Sequence, residues 1–211
     1  LLESSISSET SYLEFGCSFG GILSQVQQKG IKSCVGVEPN IADANFIKDT
    51  CPNAKIHNDF IRNINFDGEK FDIIASFQVV EHLENPTETL AQLKDLLSPG
   101  GQLWIEVPNY SNYLLNKINL PGFHNFYHHK AHIHYFTPES MSLILKHIGL
   151  EPNIKGFQMY HSFNFMQWIL NDSPQKDGTK AFEIQVPFIN DIKDEAMLNH
   201  VTSWNESFLE Y

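Results

Sequence analysis

One stretch near the start of the chain constrains the fold more than anything else in its 211 residues. Tyr12-Leu13-Glu14-Phe15 reads as a short strand that passes directly into Gly16-Cys17-Ser18-Phe19-Gly20-Gly21, after which Ile22, Leu23 and Val26 recur at helical spacing up to Lys29-Gly30. Ser33 to Val37 is a second apolar strand ending on Glu38-Pro39, followed by a helix from about Ile41 to Asp49 and a third short strand at Ala54 to His57. Strand, glycine turn, helix and returning strand make a βαβ unit, and such crossovers join parallel strands whose two faces are covered by helices. The expected class is therefore α/β, with a doubly wound and mostly parallel sheet.

The alternation continues downstream. Lys70 to Phe77 reads as a buried parallel strand, and Thr87 to Leu97 as an amphipathic helix with Leu90, Leu93, Leu96 and Leu97 on one side. Ser98-Pro99-Gly100-Gly101 is expected to stop that helix and to start a strand over Gln102 to Val107. Thr137-Pro138-Glu139-Ser140 is a good N-terminus for a helix over Met141 to His147, with Gly149 as its stop. Further strands are expected near Ile154 to Met159 and Phe182 to Val186, joined by a polar connection from Asn171 to Lys180, and residues 191–211 read as a C-terminal helical segment. Between Pro108 and Tyr135 the periodicity breaks into an aromatic, His-rich and Asn-rich stretch, and an interruption of that length inside a compact domain is usually functional.

Charge and composition narrow the partners. A net charge of -11, with 14 basic residues that form no cluster, argues against a nucleic-acid backbone, whose affinity comes from clustered Lys and Arg. No apolar run approaches the length that spans a bilayer, so a soluble protein without a membrane is expected. Cys17, Cys34 and Cys51 are odd in number and sit in a cytoplasmic type of α/β segment, on a loop, a strand and a helix end, which is a poor pattern for a disulfide framework. The chain starts Leu-Leu-Glu with no initiator Met and no signal-like segment, so a piece of a longer polypeptide is expected.

With these segments in order, the sequence resembles the class I S-adenosylmethionine-dependent methyltransferases over most of residues 12–160. Glu14-Phe15-Gly16-Cys17-Ser18-Phe19-Gly20 is similar to the family's first motif, Gly36-Val37-Glu38-Pro39 to the acidic end of its second strand, and Asn58-Asp59-Phe60 to its adenine-side segment. Phe71 to Leu83, with Glu81-His82 near its end, resembles the fourth-strand motif, and Leu97 to Gly101 the approach to the fifth strand. His132-Ile133-His134-Tyr135-Phe136-Thr137-Pro138-Glu139-Ser140 resembles the substrate-side insertion of a subgroup acting on small molecules, including quinone precursors and sugars.

The resemblance implies a Rossmann-like, seven-stranded sheet with an antiparallel last strand. Residues 1–109 would form the S-adenosylmethionine-binding half, 110–136 the insertion and 137–190 the remainder of the sheet. It also implies roles. Gly16 and Gly20 would border the methionine moiety, with Glu14 on its ammonium; Glu38 would take the ribose, Asp59 and Phe60 the adenine, and Gln78 the methionine end. Cys17 and Pro39, in the same segments, complete the cofactor-binding set. His82 and His132 are the candidate bases for an acceptor that needs one. The acceptor would be a sugar nucleotide or another small metabolite, and the aromatic run Phe157, Tyr160, Phe163, Phe165 and Trp168 could be core or support a homodimer.

One residue departs from the family pattern. Where the loop's middle glycine belongs there is Ser18, for which left-handed φ costs roughly 1 kcal/mol, so either the loop turns differently or the site binds more weakly. Two rivals follow. A nicotinamide-dependent oxidoreductase would share the glycine loop and the acid about twenty residues on, but Cys17-Ser18 lacks its second glycine. A non-catalytic binding module of the same shape is the other. His124, His128, His129, His132 and His134 invite a metal, but no cysteine accompanies them and no metal is assigned.

Overall fold

The computed structural model describes residues 2–157 and 162–174. They fall into two compact units, one from residues 2–108 and 132–152 and the other from residues 109–131, 153–157 and 162–174.

The first unit is built on β1 (Ser11–Phe15), β2 (Ser33–Val37), β3 (Lys55–His57), β4 (Phe71–Phe77) and β5 (Leu97–Glu106). All neighbours are parallel, in the order β3-β2-β1-β4-β5. Leu13 sits opposite Val35 on one side and Ile74 on the other, and β1 is buried along its whole length, as a central parallel strand must be. Helices α1 (Gly21–Gln27), α2 (Ile41–Thr50), α3 (Pro86–Asp95) and α5 (Pro138–His147) belong to this unit.

Alternation along the strands divides the core in two. Tyr12, Cys34, Ile73 and Ala75 pack with Leu23, Val26 and Ile47 of α1 and α2 on one face, while Leu13, Val35, Val37 and Ile74 pack with Leu90, Leu93, Met141 and Leu145 of α3 and α5 on the other. Each fully buried aliphatic side chain contributes ~1.5–3 kcal/mol of transfer free energy. The predicted start of α5 is reproduced in detail: Thr137 Oγ1 accepts from the Ser140 amide and Ser140 Oγ from the Thr137 amide, a reciprocal cap, with Pro138 in the first turn.

The end of α3 corrects the sequence reading. The helix stops at Asp95, and Leu97 lies opposite Phe71 at the start of β5. The Phe71 amide donates to the Leu96 carbonyl, so the main chain has joined the sheet before the Ser98-Pro99-Gly100-Gly101 turn, which forms an irregularity in the strand instead of its beginning. Residues 151–157 contain no strand. The rest of the strand expected to Met159, the strand at Phe182 to Val186 and the helical segment 191–211 lie outside the described residues.

The second unit contains a short π-helical turn (Leu114–Ile118), α4 (Pro121–Tyr127) and α6 (Ser162–Asn171). The stretch expected to lack regular structure thus contains helix. Leu114, Leu115, Phe123 and Trp168 form its core, with the Phe123 and Trp168 rings edge to face at 4.9 Å. The Asp172 carboxylate accepts from the amides of Gly122 (2.6 Å) and Phe123 (3.1 Å), capping α4 from far away in sequence. Of the undecided aromatic run, Trp168 is core, Phe165 packs against it and Phe157 is exposed, while the side chains of Tyr160 and Phe163 lie outside the description. Among the described residues, no helix is long and apolar enough to cross a membrane.

Candidate active site at the carboxyl ends of the strands

The strand order reverses between β1 and β4, and in open α/β sheets ligands bind outside the carboxyl ends of the strands at that point. Nearly every residue singled out from the sequence ends or follows one of these strands. The loop after β1 is held by main-chain bonds from the Gly16 and Cys17 amides to the Val37 carbonyl and from the Gly20 amide to the Cys17 carbonyl. Gly16 (φ 74) and Gly20 (φ 73) are both left-handed. A Cβ on Gly16 would lie 2.5 Å from Val79 Cγ2, so this glycine answers to packing as well as to φ.

Ser18 adopts the backbone conformation that a glycine would take at no cost. It is left-handed at φ 45, and its amide donates to Glu38 Oε2 at 2.8 Å. The other oxygen of Glu38 accepts from the Asn40 amide at 2.8 Å, so this buried carboxylate holds the end of β2 and the glycine loop together. Asn58 reinforces the corner, its Nδ2 donating to the carbonyls of Glu38 (2.8 Å) and Pro39 (3.0 Å).

Glu14 is buried, with Oε2 accepting from the Tyr12 hydroxyl at 3.2 Å. Burial pushes its carboxyl up to about 7, against the lowering effect of that hydroxyl. A buried carboxyl near neutrality, beside a loop with left-handed main chain, fits a ligand carrying an ammonium group. The same burial raises the Cys17 and Cys34 thiols, which stay protonated. Cys17 Sγ is buried 3.7 Å from the Val37 carbonyl, packed beneath the loop, and all three cysteines are free.

After β3, Asp59 is fully exposed, and its Oδ1 accepts from the Phe60 amide (2.7 Å) and from Asn63 (2.8 Å), which hold its carboxyl low. Phe60 is not core: its side chain is 55% exposed and has the Arg62 guanidinium over the ring at 5.1 Å. After β4 the chain turns sharply at Gln78 (φ 57), whose Nε2 donates to Glu106 Oε1 at 2.9 Å.

The turn Val80–His82 then presents Glu81, for which the resemblance implies no role. Its carbonyl accepts from the amides of Ile133 and His134, both at 3.1 Å, and this brings His132 beside it although the two lie 51 positions apart in the chain. Glu81 Oε1 is 3.8 Å from His132 Nε2 and 3.9 Å from His82 Nε2, and the two rings are 4.9 Å apart. Burial raises the Glu81 carboxyl, with its own main-chain amide and then His82 opposing. The detectable signal was an acid directly followed by a histidine just after the buried run of β4, where that strand ends. The other histidines disperse: His124 stacks on His128 in the second unit and bonds to Leu115 O and Asn119, and His134 stacks on Phe136. A shallow cleft of about 600 Å³ lined by Asn85, Thr87, Lys94 and His147 contains none of the site residues.

Residues 1–154, well over half of the chain, match the family described as "Methyltransferase domain". The chain belongs to the class I S-adenosylmethionine-dependent methyltransferase family. The family match does not favour the oxidoreductase alternative. Among curated relatives, this methyltransferase is similar to the ubiquinone biosynthesis O-methyltransferase of Ruegeria pomeroyi, at 28% identity over 76% of this chain and 67% of that protein. It is also similar to that of Dinoroseobacter shibae, at 29% identity over 50% of this chain and 44% of that protein. The chain therefore spans from under half to about two thirds of the length of these relatives. In fold it resembles a methyltransferase solved in complex with the Haloferax volcanii Trm112 methyltransferase activator, with a TM-score of 0.61, 15% identity and coverage of 72% of this chain and 66% of that one.

Proposed function

We propose that this protein transfers a methyl group from S-adenosylmethionine to a hydroxyl of a small-molecule acceptor, a phenol or a sugar nucleotide. The observation that carries the reading is the gathering of Glu14, the left-handed loop, Glu38 and the Glu81-His82-His132 group at the carboxyl ends of β1, β2 and β4. Relatives whose names specify O-methylation support an oxygen acceptor.

When bound, S-adenosylmethionine supplies a methyl group on a positively charged sulfur. Glu14 would hold its ammonium, Gly16 and Gly20 border its methionine end with Gln78, Glu38 take the ribose, and Phe60 cover the adenine beside Asp59. These residues position the methyl group and exclude water, which is where most of the acceleration of such a displacement arises. His82 and His132 would face the acceptor and manage its hydroxyl proton.

The test is incubation of the protein with labelled S-adenosylmethionine and a panel of phenols and sugar nucleotides. Label in a small-molecule product is the expected result, and label only in protein or RNA would overturn the reading. His132→Ala is expected to lower kcat by about 100-fold or more, in the range typical for loss of a proton-transfer group, with little change in cofactor affinity.

Glu14 makes binding depend on pH. A carboxyl raised from 4.5 to about 7 keeps its proton in the folded protein, so its contribution favours the fold at low pH and is lost as pH rises between those two values. An ammonium partner favours the ionised form, so binding below pH 7 must expel the proton. Affinity for S-adenosylmethionine should climb between pH 5.5 and 7, by up to about tenfold per unit, and then level off. Calorimetric titration of wild type and Glu14→Gln checks this; an unchanged slope in the variant would remove Glu14 from the site.

A further inference from the structure

We propose that Glu81, His82 and His132 form a binding site for one divalent transition-metal ion of zinc-like preference, with further coordination positions left for water or an acceptor oxygen. The inference stands on the geometry of the three side chains, and rests on the proposed function only for what the ion would do.

Glu81 is 1% exposed, and neither carboxylate oxygen accepts a hydrogen bond from another described residue. A carboxylate so far from water is costly without a cationic partner. The nitrogens facing it stand at 3.8 and 3.9 Å, too far for direct hydrogen bonds. They stand where two ligands of one ion would: donors each about 2.0–2.2 Å from a zinc-like centre lie roughly 3–4 Å from one another. The three donor atoms lie within 4.8 Å of one another. Two imidazoles with one carboxylate suit zinc, iron(II) or cobalt(II), and three protein ligands are the pattern of sites that keep a position open. The three side chains grade from buried to accessible, Glu81 at 1%, His132 at 12% and His82 at 39%, so an ion held by the innermost carboxylate is reached from the His82 side.

The backbone makes the group specific. The Glu81 carbonyl takes both the Ile133 and His134 amides, which fixes His132 at the carboxylate, and the Val80–His82 turn fixes His82 from the other side. In the proposed reaction such an ion would acidify an acceptor hydroxyl coordinated to it, whose proton would leave to solvent on the accessible His82 side; with the ion bound the two histidines would hold it, and the proton-handling role given above is theirs only without it.

The experiment uses protein without a histidine tag, stripped with EDTA and titrated with Zn²⁺ by calorimetry and with Co²⁺ by visible absorption. One equivalent should bind, with Co²⁺ d–d bands of a four- or five-coordinate site, and His82→Ala and Glu81→Gln should each weaken binding by about 100-fold or more, beyond the loss typical of outer-shell changes. His128→Ala should leave it unchanged. His82 is the most exposed ligand, so its variant tests the site even where Glu81→Gln fails to fold. Absence of uptake in the stripped protein, or uptake that persists in His82→Ala, would overturn the site. Methyl transfer that survives EDTA while no ion binds would remove the ion and leave the proposed function standing. Ion binding without transfer to any hydroxyl acceptor would do the reverse.

Discussion

Replacing Glu38 with Ala is expected to weaken S-adenosylmethionine binding by roughly 10- to 150-fold, the equivalent of ~1.5–3 kcal/mol for a lost charge-assisted hydrogen bond. The structure adds a second consequence. Both carboxylate oxygens already accept main-chain amides, from Ser18 and Asn40 at 2.8 Å, so the substitution also removes what holds Ser18 in left-handed φ. The variant should therefore lose stability as well as affinity, by about 1–3 kcal/mol for the amides left without a partner. Calorimetry with the cofactor and thermal unfolding without it separate the two losses. Affinity within about threefold of wild type would remove the ribose role, since a contact with the nucleoside cannot be worth so little. An unchanged unfolding temperature would remove the latch.

Gly16→Ala should be the most destabilising single methyl added to the site. The residue sits at φ 74, where a Cβ costs about 1–2 kcal/mol, and the new atom would lie 2.5 and 2.9 Å from the two γ-carbons of Val79. Overpacking of that kind costs about 1–3 kcal/mol more. A total of ~2–5 kcal/mol in a chain of this size lowers the melting temperature by roughly 5–15 °C. Val79→Ala in the same protein relieves the clash but not the backbone strain. The double variant should therefore be less destabilised than the sum of the singles by about 1–3 kcal/mol, and strict additivity would show that the two residues do not collide.

Most of the frame was legible because its signals are local. The βαβ start, the acid closing β2, the buried run of β4 and the cap of α5 at Thr137 depend on residues within a few positions of one another. What was misread depends on partners far away. Leu97 has the spacing of a helix face, yet the chain at Leu96 already pairs with Phe71, and sheet pairing outweighs a continued helical period. Of the insertion's histidines, His132 meets Glu81, because the neighbouring amides bond to the Glu81 carbonyl.

By itself the sequence determined a parallel α/β sheet and which residues close its strands, since periodicity and turn chemistry are properties of consecutive residues. Tertiary structure alone decided that Glu38 latches the loop through Ser18, that Gly16 must stay bare beneath Val79, and that one buried carboxylate faces two imidazoles. Each of these joins segments that only the closing of the sheet brings within a few ångströms, where close packing and the loss of water make a steric contact or a polar pair count for more than it would in an open chain.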